Sequence, residues 1–153
     1  MSRAKTILAA SLVVTLVAIG FALPAHAGEV EDRNTANVVA FYDMVFNQRD
    51  VDGAITKYIG DEYIQHNPFV ADGIDGFREG ITGWLNSDAS IHAEIVRTVA
   101  EGNLVVTHVR SLSAEGESAV MDIFRLDDTG KIIEHWDVAQ PVPAEQAHDN
   151  TMF

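Results

Sequence analysis

The chain has 153 residues, the length of one domain, and 47% of them are hydrophobic, which excludes a disordered or collagen-like chain. It contains no cysteine, which excludes disulfides, thiolate catalysis, cysteine-ligated zinc and iron–sulfur clusters. Ten basic residues against 23 acidic ones give a net charge of −13, and such a chain repels nucleic acid and anionic membrane surfaces.

The first 27 residues have the pattern of a secretory signal peptide. Arg3 and Lys5 precede an apolar run over Ile7–Leu23, and small residues lead to a cut after Ala27. We therefore expect export to the periplasm or the outside, and a mature domain of residues 28–153 that is not attached to a membrane. An uncleaved anchor is the alternative, because the run approaches the length of a membrane span. The mature domain keeps all 23 acidic and eight of the ten basic residues, a net charge of −15.

Helical patterns come first in the mature chain. Apolar residues at helical spacing predict one helix capped by Asn34 or Thr35, and a second that begins at Asp50 and stops at Gly60. Asp75 is the expected cap of a third helix.

In the second half the hydrophobic period changes to two, which is typical of strands. The segments Ile91–Ala100 and Leu104–Leu112 predict one hairpin, and Ala119–Leu126 and Lys131–Val138 predict another. Residues from Pro141 onward are expected to be irregular. Helices followed by strands favour an α+β fold, with the helices packed on one face of an antiparallel sheet.

The second predicted hairpin gathers polar side chains on one face. A loop over residues 127–130 pairs Asp122 with His135 and Val120 with Asp137. Because strand side chains alternate between faces, one face is expected to hold Asp122, Phe124, Ile133, His135 and Asp137. The opposite face is also largely apolar, which favours a contact with a partner subunit. Its expected members are Met121, Ile123, Ile132 and Trp136, together with Arg125 and Glu134.

Two further histidines are candidates for the same site. His108 lies among aliphatic residues in the middle of a strand, where its ring nitrogens need partners, and His66 comes shortly before Pro68. A cavity between helices and sheet would then contain His66, His108, Asp122, His135 and Asp137. Imidazoles and carboxylates are the groups that perform acid–base chemistry next to a carbonyl, although each of these residues alone also fits a structural role.

A metal is not expected at these residues. They come from four separated segments, without an H-x-x-x-H or H-x-H spacing, although their types suit metal coordination. Nucleotide-dependent chemistry and serine hydrolysis have no support either, because the sequence has no Gly-rich phosphate loop, Walker motif or G-x-S-x-G.

Several strings of the mature chain form a specific set: Tyr63–Pro68, Ala71–Gly73, Asp122–Leu126, Lys131–Val138, Gln140–Pro143 and Asn150–Phe153. The set resembles the SnoaL-like family, and within it the subgroup of predicted SnoaL-like aldol-condensation-catalysing proteins. The resemblance implies a cone-shaped α+β barrel of the nuclear transport factor two-like superfamily, in which a curved sheet wraps around helices and encloses a pocket. It also implies a homodimer through the outer sheet face, at Met121, Ile123 and Trp136.

Polyketide cyclases of this superfamily use an aspartate as acid/base, with a histidine nearby and no cofactor. The resemblance places that aspartate at Asp137, with Asp122 as the alternative. His135, His108 and His66 would then orient groups, relay protons or stabilise the enolate oxygen. The side chains expected to shape the pocket are Tyr63, Asn67, Trp84 and Phe124.

The expected function is an exported, cofactor-independent acid/base enzyme acting next to a carbonyl of a small, largely apolar molecule. Aldol condensation, cyclisation and isomerisation all fit. The alternatives are a non-catalytic small-molecule-binding protein that uses the same cavity, and a dimeric interaction module with a closed pocket. All remain open because a fold does not determine a function.

Overall fold

The computed structural model describes residues 28–153, and the expected signal peptide lies outside the described residues. Helix α1 leads directly into a π-helical turn, and two more helices and five strands follow. None of the described helices is long and apolar enough to cross a membrane. The elements are α1 Glu29–Tyr42, the π-helical turn Asp43–Asn47, α2 Val51–Tyr58, β1 Ile59–Gln65, α3 Gly73–Ser87, β2 His92–Glu101, β3 Leu104–Ser113, β4 Gly116–Leu126 and β5 Ile132–Pro141.

The strands form one sheet in the order β1-β5-β4-β3-β2. Neighbours among β2 to β5 are antiparallel, whereas β1 lies at the edge and runs parallel to β5. The helices cover one face, and the core between the two layers includes Val38, Phe41, Val45, Val105, Val109 and Phe124. The predicted α+β fold of the cone-shaped type, with a mostly antiparallel sheet, is confirmed; among the described strands the parallel pair is β1 with β5.

Helix α1 begins at Glu29, five residues before the predicted cap Asn34. Asn34 is fully buried inside the helix. Its Nδ2 donates to the carbonyl oxygen of Gly102, 3.4 Å away in the turn between β2 and β3. The prediction of a cap was wrong because this polar side chain fastens the helix to the sheet.

The predicted start of α2 is confirmed, because the Asp50 carboxylate accepts a hydrogen bond from the Gly53 amide at 3.0 Å. The helix also ends where predicted, just before Gly60, because its last residue is Tyr58 and Ile59 is the C-cap. Gly60 is not the left-handed stop that was expected, since its φ is not positive and it belongs to β1. A Cβ at Gly60 would lie 2.8 Å from the Ile133 side chain, so close packing between β1 and β5 explains this glycine.

Helix α3 begins after Asp72 rather than at the predicted cap Asp75. The Asp72 carboxylate does not cap the helix. It accepts a hydrogen bond from the backbone amide of Gln65 at 2.8 Å, and so joins the start of α3 to the end of β1.

The register of β4 against β5 differs by two residues from the predicted one. Asp122 lies opposite Asp137, and Phe124 lies opposite His135, whereas the prediction paired Asp122 with His135. Because the shift is even, these four side chains still share one face, as expected.

The loop covers residues 127–131 rather than the predicted 127–130, which accounts for one residue of the shift, and a β-bulge next to it adds the second. Leu126 pairs with Ile132, whereas Arg125 pairs with Glu134, so Ile133 is an extra residue in β5. Ile132 is fully buried in the core, although the sequence placed it on the outer face. Ile133, predicted on the inner face, is only half-buried.

Candidate active site

A cavity of about 440 Å³ lies between the helices and the inner face of the sheet. Its volume is within the range of small-molecule sites. Aromatic residues are the largest group in its wall, eight of the twenty lining residues, and include Phe41, Phe46, Tyr63, Phe77, Trp84 and Phe124. Its polar lining includes Gln65, Asn67, Asp122, His135 and Asp137. A cavity of this size contradicts the closed pocket that the interaction-module alternative predicted.

Two neighbouring strands bring the titratable groups together. Asp122 and Asp137 lie directly opposite each other on β4 and β5, and His135 lies two residues along β5 on the same face. One ligand atom from each of the three side chains lies within 4.8 Å of the other two. Of the five side chains that the sequence predicted to converge, these three do.

The Asp122 carboxylate is almost fully buried, with 3% of the residue exposed. Its Oδ2 accepts hydrogen bonds from the Tyr42 hydroxyl at 3.1 Å and the Thr107 hydroxyl at 3.0 Å, and its Oδ1 lies 3.2 Å from His135 Nε2. Burial and the adjacent Asp122 charge raise the pKa of Tyr42 well above its usual value, so this phenol remains a donor. Asp122 is thus held on both oxygens.

His135 is fixed from its other side by Gln65. The Gln65 Oε1 atom lies 3.0 Å from His135 Nδ1. It also accepts a hydrogen bond from the backbone N–H of Asn67 at 2.9 Å. The Gln65 Nε2 atom donates to the Tyr63 hydroxyl at 3.3 Å, which sets the orientation of the amide. Because an oxygen faces Nδ1, that nitrogen carries the proton. This leaves Nε2 facing Asp122 Oδ1 at 3.2 Å.

Asp137 is the more accessible carboxylate. It is half-buried and lines the cavity. The Asn67 Nδ2 atom donates to its Oδ1 at 2.9 Å and its Oδ2 at 2.7 Å. The Asn67 Oδ1 atom accepts from the Phe69 amide at 2.8 Å, so the orientation of Asn67 is also fixed.

Tyr63 contributes a neutral hydroxyl to the polar end of the cavity. Its phenol oxygen accepts a hydrogen bond from Gln65, so its own hydrogen is available to a ligand. Burial, reinforced by the charges of Asp122 and Asp137, raises the Tyr63 pKa far above the usual value, although the Gln65 hydrogen bond lowers it in part. The phenol therefore stays protonated at neutral pH.

The remaining residues predicted to shape the pocket also line the cavity. Phe124 is 2% exposed, and its ring lies 4.9 Å from the His135 ring. Trp84 is 42% exposed and packs edge-on against Phe46. Phe69, which the sequence analysis did not single out, also lines the cavity and is 93% exposed, so it lies at the opening.

The structure does not bring His66 to the cavity. Its ring stacks on Trp136 at 4.7 Å on the outer face, and its Nε2 lies 2.9 Å from Glu134 Oε1. The expectation was wrong because side chains alternate along β1, so the neighbouring Gln65 points inward and the next residue points outward.

His108 is also on the outer face, contrary to expectation. Its Nδ1 lies 3.0 Å from Arg97 Nη1, and its ring stacks on Phe153 at 5.8 Å. The inward position on β3 belongs to Thr107, which is fully buried against Asp122. The alternation of side chains along β3 is visible in the sequence, but the prediction assigned the titratable His108 to the cavity instead of Thr107.

The comparisons agree with this architecture. The chain matches the model of the SnoaL-like domain over residues 38–135, and it therefore belongs to the SnoaL-like family. The fold is that of the nuclear transport factor two-like superfamily. No curated protein matches the chain.

Solved structures with low sequence identity share the fold. TsrD from Streptomyces laurentii is 24% identical, with a TM-score of 0.57, over 69% of this chain and 87% of that one. A proposed SnoaL-like polyketide cyclase from Jannaschia sp. CCS1 is 17% identical, with a TM-score of 0.63, over 75% and 90%. AclR from Streptomyces galilaeus, a proposed hydroxylase, is 17% identical, with a TM-score of 0.61, over 72% and 90%. At these identities the likeness concerns the fold.

Proposed function

We propose that the protein is an exported, cofactor-independent acid/base enzyme that acts next to a carbonyl of a small, largely apolar molecule. The observation that carries the proposal is the convergence of Asp122, His135 and Asp137 at the polar end of an aromatic cavity. Export rests on the signal-peptide pattern of residues 1–27.

Asp137 is the base in this proposal. It faces the cavity, and Asn67 orients both of its oxygens. It takes a proton from the carbon next to the substrate carbonyl, and the electron pair of that C–H bond moves into the enolate. Asp122 is less suitable, since Tyr42, Thr107 and His135 already engage its oxygens.

Tyr63 is the proposed donor to the enolate oxygen. Its hydroxyl is buried and neutral, and a donor aimed at developing negative charge stabilises it strongly in a site with little water. The enolate then attacks a second carbonyl in an aldol step, or regains a proton in an isomerisation. His135 positions Asp122 and is not the base, because both ring nitrogens are engaged.

The test is exchange of the methyl protons of acetophenone in D₂O, followed by NMR. Wild type should accelerate the exchange, and Asp137→Asn should lower the rate by about 10²–10⁴-fold. Asp61→Asn is the matched control, because Asp61 is exposed on β1 and does not line the cavity. Equal rates in wild type and Asp137→Asn would contradict the proposal.

A binding protein that uses the same cavity is the second candidate, favoured by the aromatic wall. It predicts saturable quenching of Trp84 fluorescence by acetophenone without any exchange. The enzyme predicts both signals, so the two measurements on one sample separate the candidates.

A further inference from the structure

We infer that Asp122, His135 and Asp137 bind a divalent transition-metal ion such as Zn²⁺, and that the ion inhibits the site. The inhibitory part rests on the function proposed above. The sequence spacing argued against a metal, but the fold places one ligand atom of each side chain within 4.8 Å of the other two. His135 Nε2 and Asp122 Oδ1 are already 3.2 Å apart. Zn²⁺ bonds of about 2.0–2.2 Å require ligand atoms at about this separation.

Each of the three groups is positioned by hydrogen bonds to neighbouring side chains; for Asp137 these come from Asn67. His135 donates its Nδ1 hydrogen to Gln65, which leaves Nε2 directed at Asp122. Histidines that bind metals in proteins almost always donate their other N–H in this way. Tyr42 and Thr107 hold the second oxygen of Asp122, so its Oδ1 is the atom presented to the ion. A preorganised set of this kind loses little freedom when an ion binds.

The charge of the set suits a divalent cation. Two carboxylates and a neutral imidazole sum to a charge of −2. Among the described residues that line the cavity there is no lysine or arginine to repel an ion. The imidazole favours Zn²⁺ over Mg²⁺, because Mg²⁺ prefers oxygen ligands alone. Three protein ligands also leave a fourth coordination position open.

An ion at this place is incompatible with the proposed acid/base step. It occupies the space between Nε2 and Asp122 Oδ1, and it engages the carboxylate of Asp137. A carboxylate bound to Zn²⁺ cannot take a proton from carbon with its free basicity. The ion therefore acts as a competitor at the site.

Calorimetric titration of the chelator-treated, dialysed protein with ZnCl₂ tests the site, with MgCl₂ as the comparison. We expect one Zn²⁺ per chain and no comparable heat from Mg²⁺. Asp137→Asn should weaken Zn²⁺ binding by at least about tenfold. This variant changes a half-buried side chain and keeps its shape, so it avoids the folding risk of replacing His135 or Asp122. His148→Gln is the matched control, because it removes an exposed histidine from the C-terminal tail.

Absence of stoichiometric Zn²⁺ binding, or equal affinity in wild type and Asp137→Asn, would overturn the site. Proton exchange of acetophenone in the presence of chelator separates this result from the proposed function. Exchange that persists in chelator and stops with saturating Zn²⁺ supports both proposals. Zn²⁺ binding without exchange in chelator removes the enzymatic function and leaves the metal site. Exchange that continues at saturating Zn²⁺ overturns the inhibition.

Discussion

Asp122 and Asp137 are direct cross-strand neighbours on the inner face of the sheet, although both carry carboxylates. Like charges in this relationship destabilise a sheet by up to about 1 kcal/mol. The protein compensates separately for each group, with hydrogen bonds from Tyr42 and Thr107 to one and from Asn67 to the other. We therefore expect some repulsion between the two carboxylates to remain in the folded protein.

We predict that Asp137→Asn stabilises the folded protein while it lowers the rate of proton exchange. Removal of one charge relieves the repulsion from Asp122, and the free energy of unfolding should rise by about 0.2–1 kcal/mol. Urea denaturation compares the variant with wild type, and Asp61→Asn reports the effect of one charge removed elsewhere. If Asp137→Asn loses stability and Asp61→Asn does not, the hydrogen bonds from Asn67 to the Asp137 carboxylate stabilise the fold by more than the repulsion from Asp122 destabilises it.

Thr107→Val should destabilise the fold. The variant keeps the shape but removes a hydroxyl donor from a buried carboxylate, a hydrogen bond worth about 1.5–3 kcal/mol. Thr107→Ser keeps the hydroxyl and should lose less. The prediction fails if the two variants have equal midpoints in urea.

Gln65→Met should allow both neutral tautomers of His135 to be populated. Without the Oε1 acceptor, Nδ1 no longer has a fixed partner, so ¹⁵N NMR of the ring should show a mixture of tautomers. We expect a lower kcat with little change in KM, because Gln65 acts through His135. Glu62→Gln, exposed on β1 and outside the cavity, controls for general effects on this strand. An unchanged His135 spectrum in Gln65→Met would refute the role.

Tyr63 should make folding stability sensitive to alkaline pH. Burial raises its pKa in the folded state above the unfolded value of about 10. Its stabilising contribution is therefore complete below about pH 10 and decreases above it, because the unfolded chain then loses the proton first. Tyr63→Phe should flatten this decrease in a series of denaturation curves. In wild type, the ultraviolet absorbance of the Tyr63 phenolate should appear only together with unfolding.

The outer sheet face is the proposed homodimer contact. Met121 is 40% exposed and Ile123 is 37% exposed, and Trp136 lies beside them. Ile123→Glu should convert a dimer to a monomer in light scattering after gel filtration, whereas Glu115→Gln in the β3–β4 turn should not. A wild-type protein that is monomeric at all accessible concentrations would exclude this contact.

The sequence was sufficient for the fold class and for the inner polar face, because both depend on hydrophobic periods and on alternation. It was not sufficient for register, since the bulge at Ile133 adds a residue that no local pattern announces. The same limit applied to histidines: His66 and His108 are chemically suited to catalysis, but their strand positions turn them outward. Gln65 and Thr107 were missed because neither is titratable, and their importance comes only from the groups they hold.

The end of strand β1 separates the cavity from the outer face of the sheet. Its end holds Gln65 toward His135, while the next residue, His66, donates its backbone amide to the His135 carbonyl at 3.0 Å and stacks outward on Trp136. The stack of His66 on Trp136 is attached to the same backbone that positions Gln65 against the His135 imidazole. A change in the packing of His66 against Trp136 would therefore act on the His135 side chain through the one peptide unit that joins His66 to Gln65.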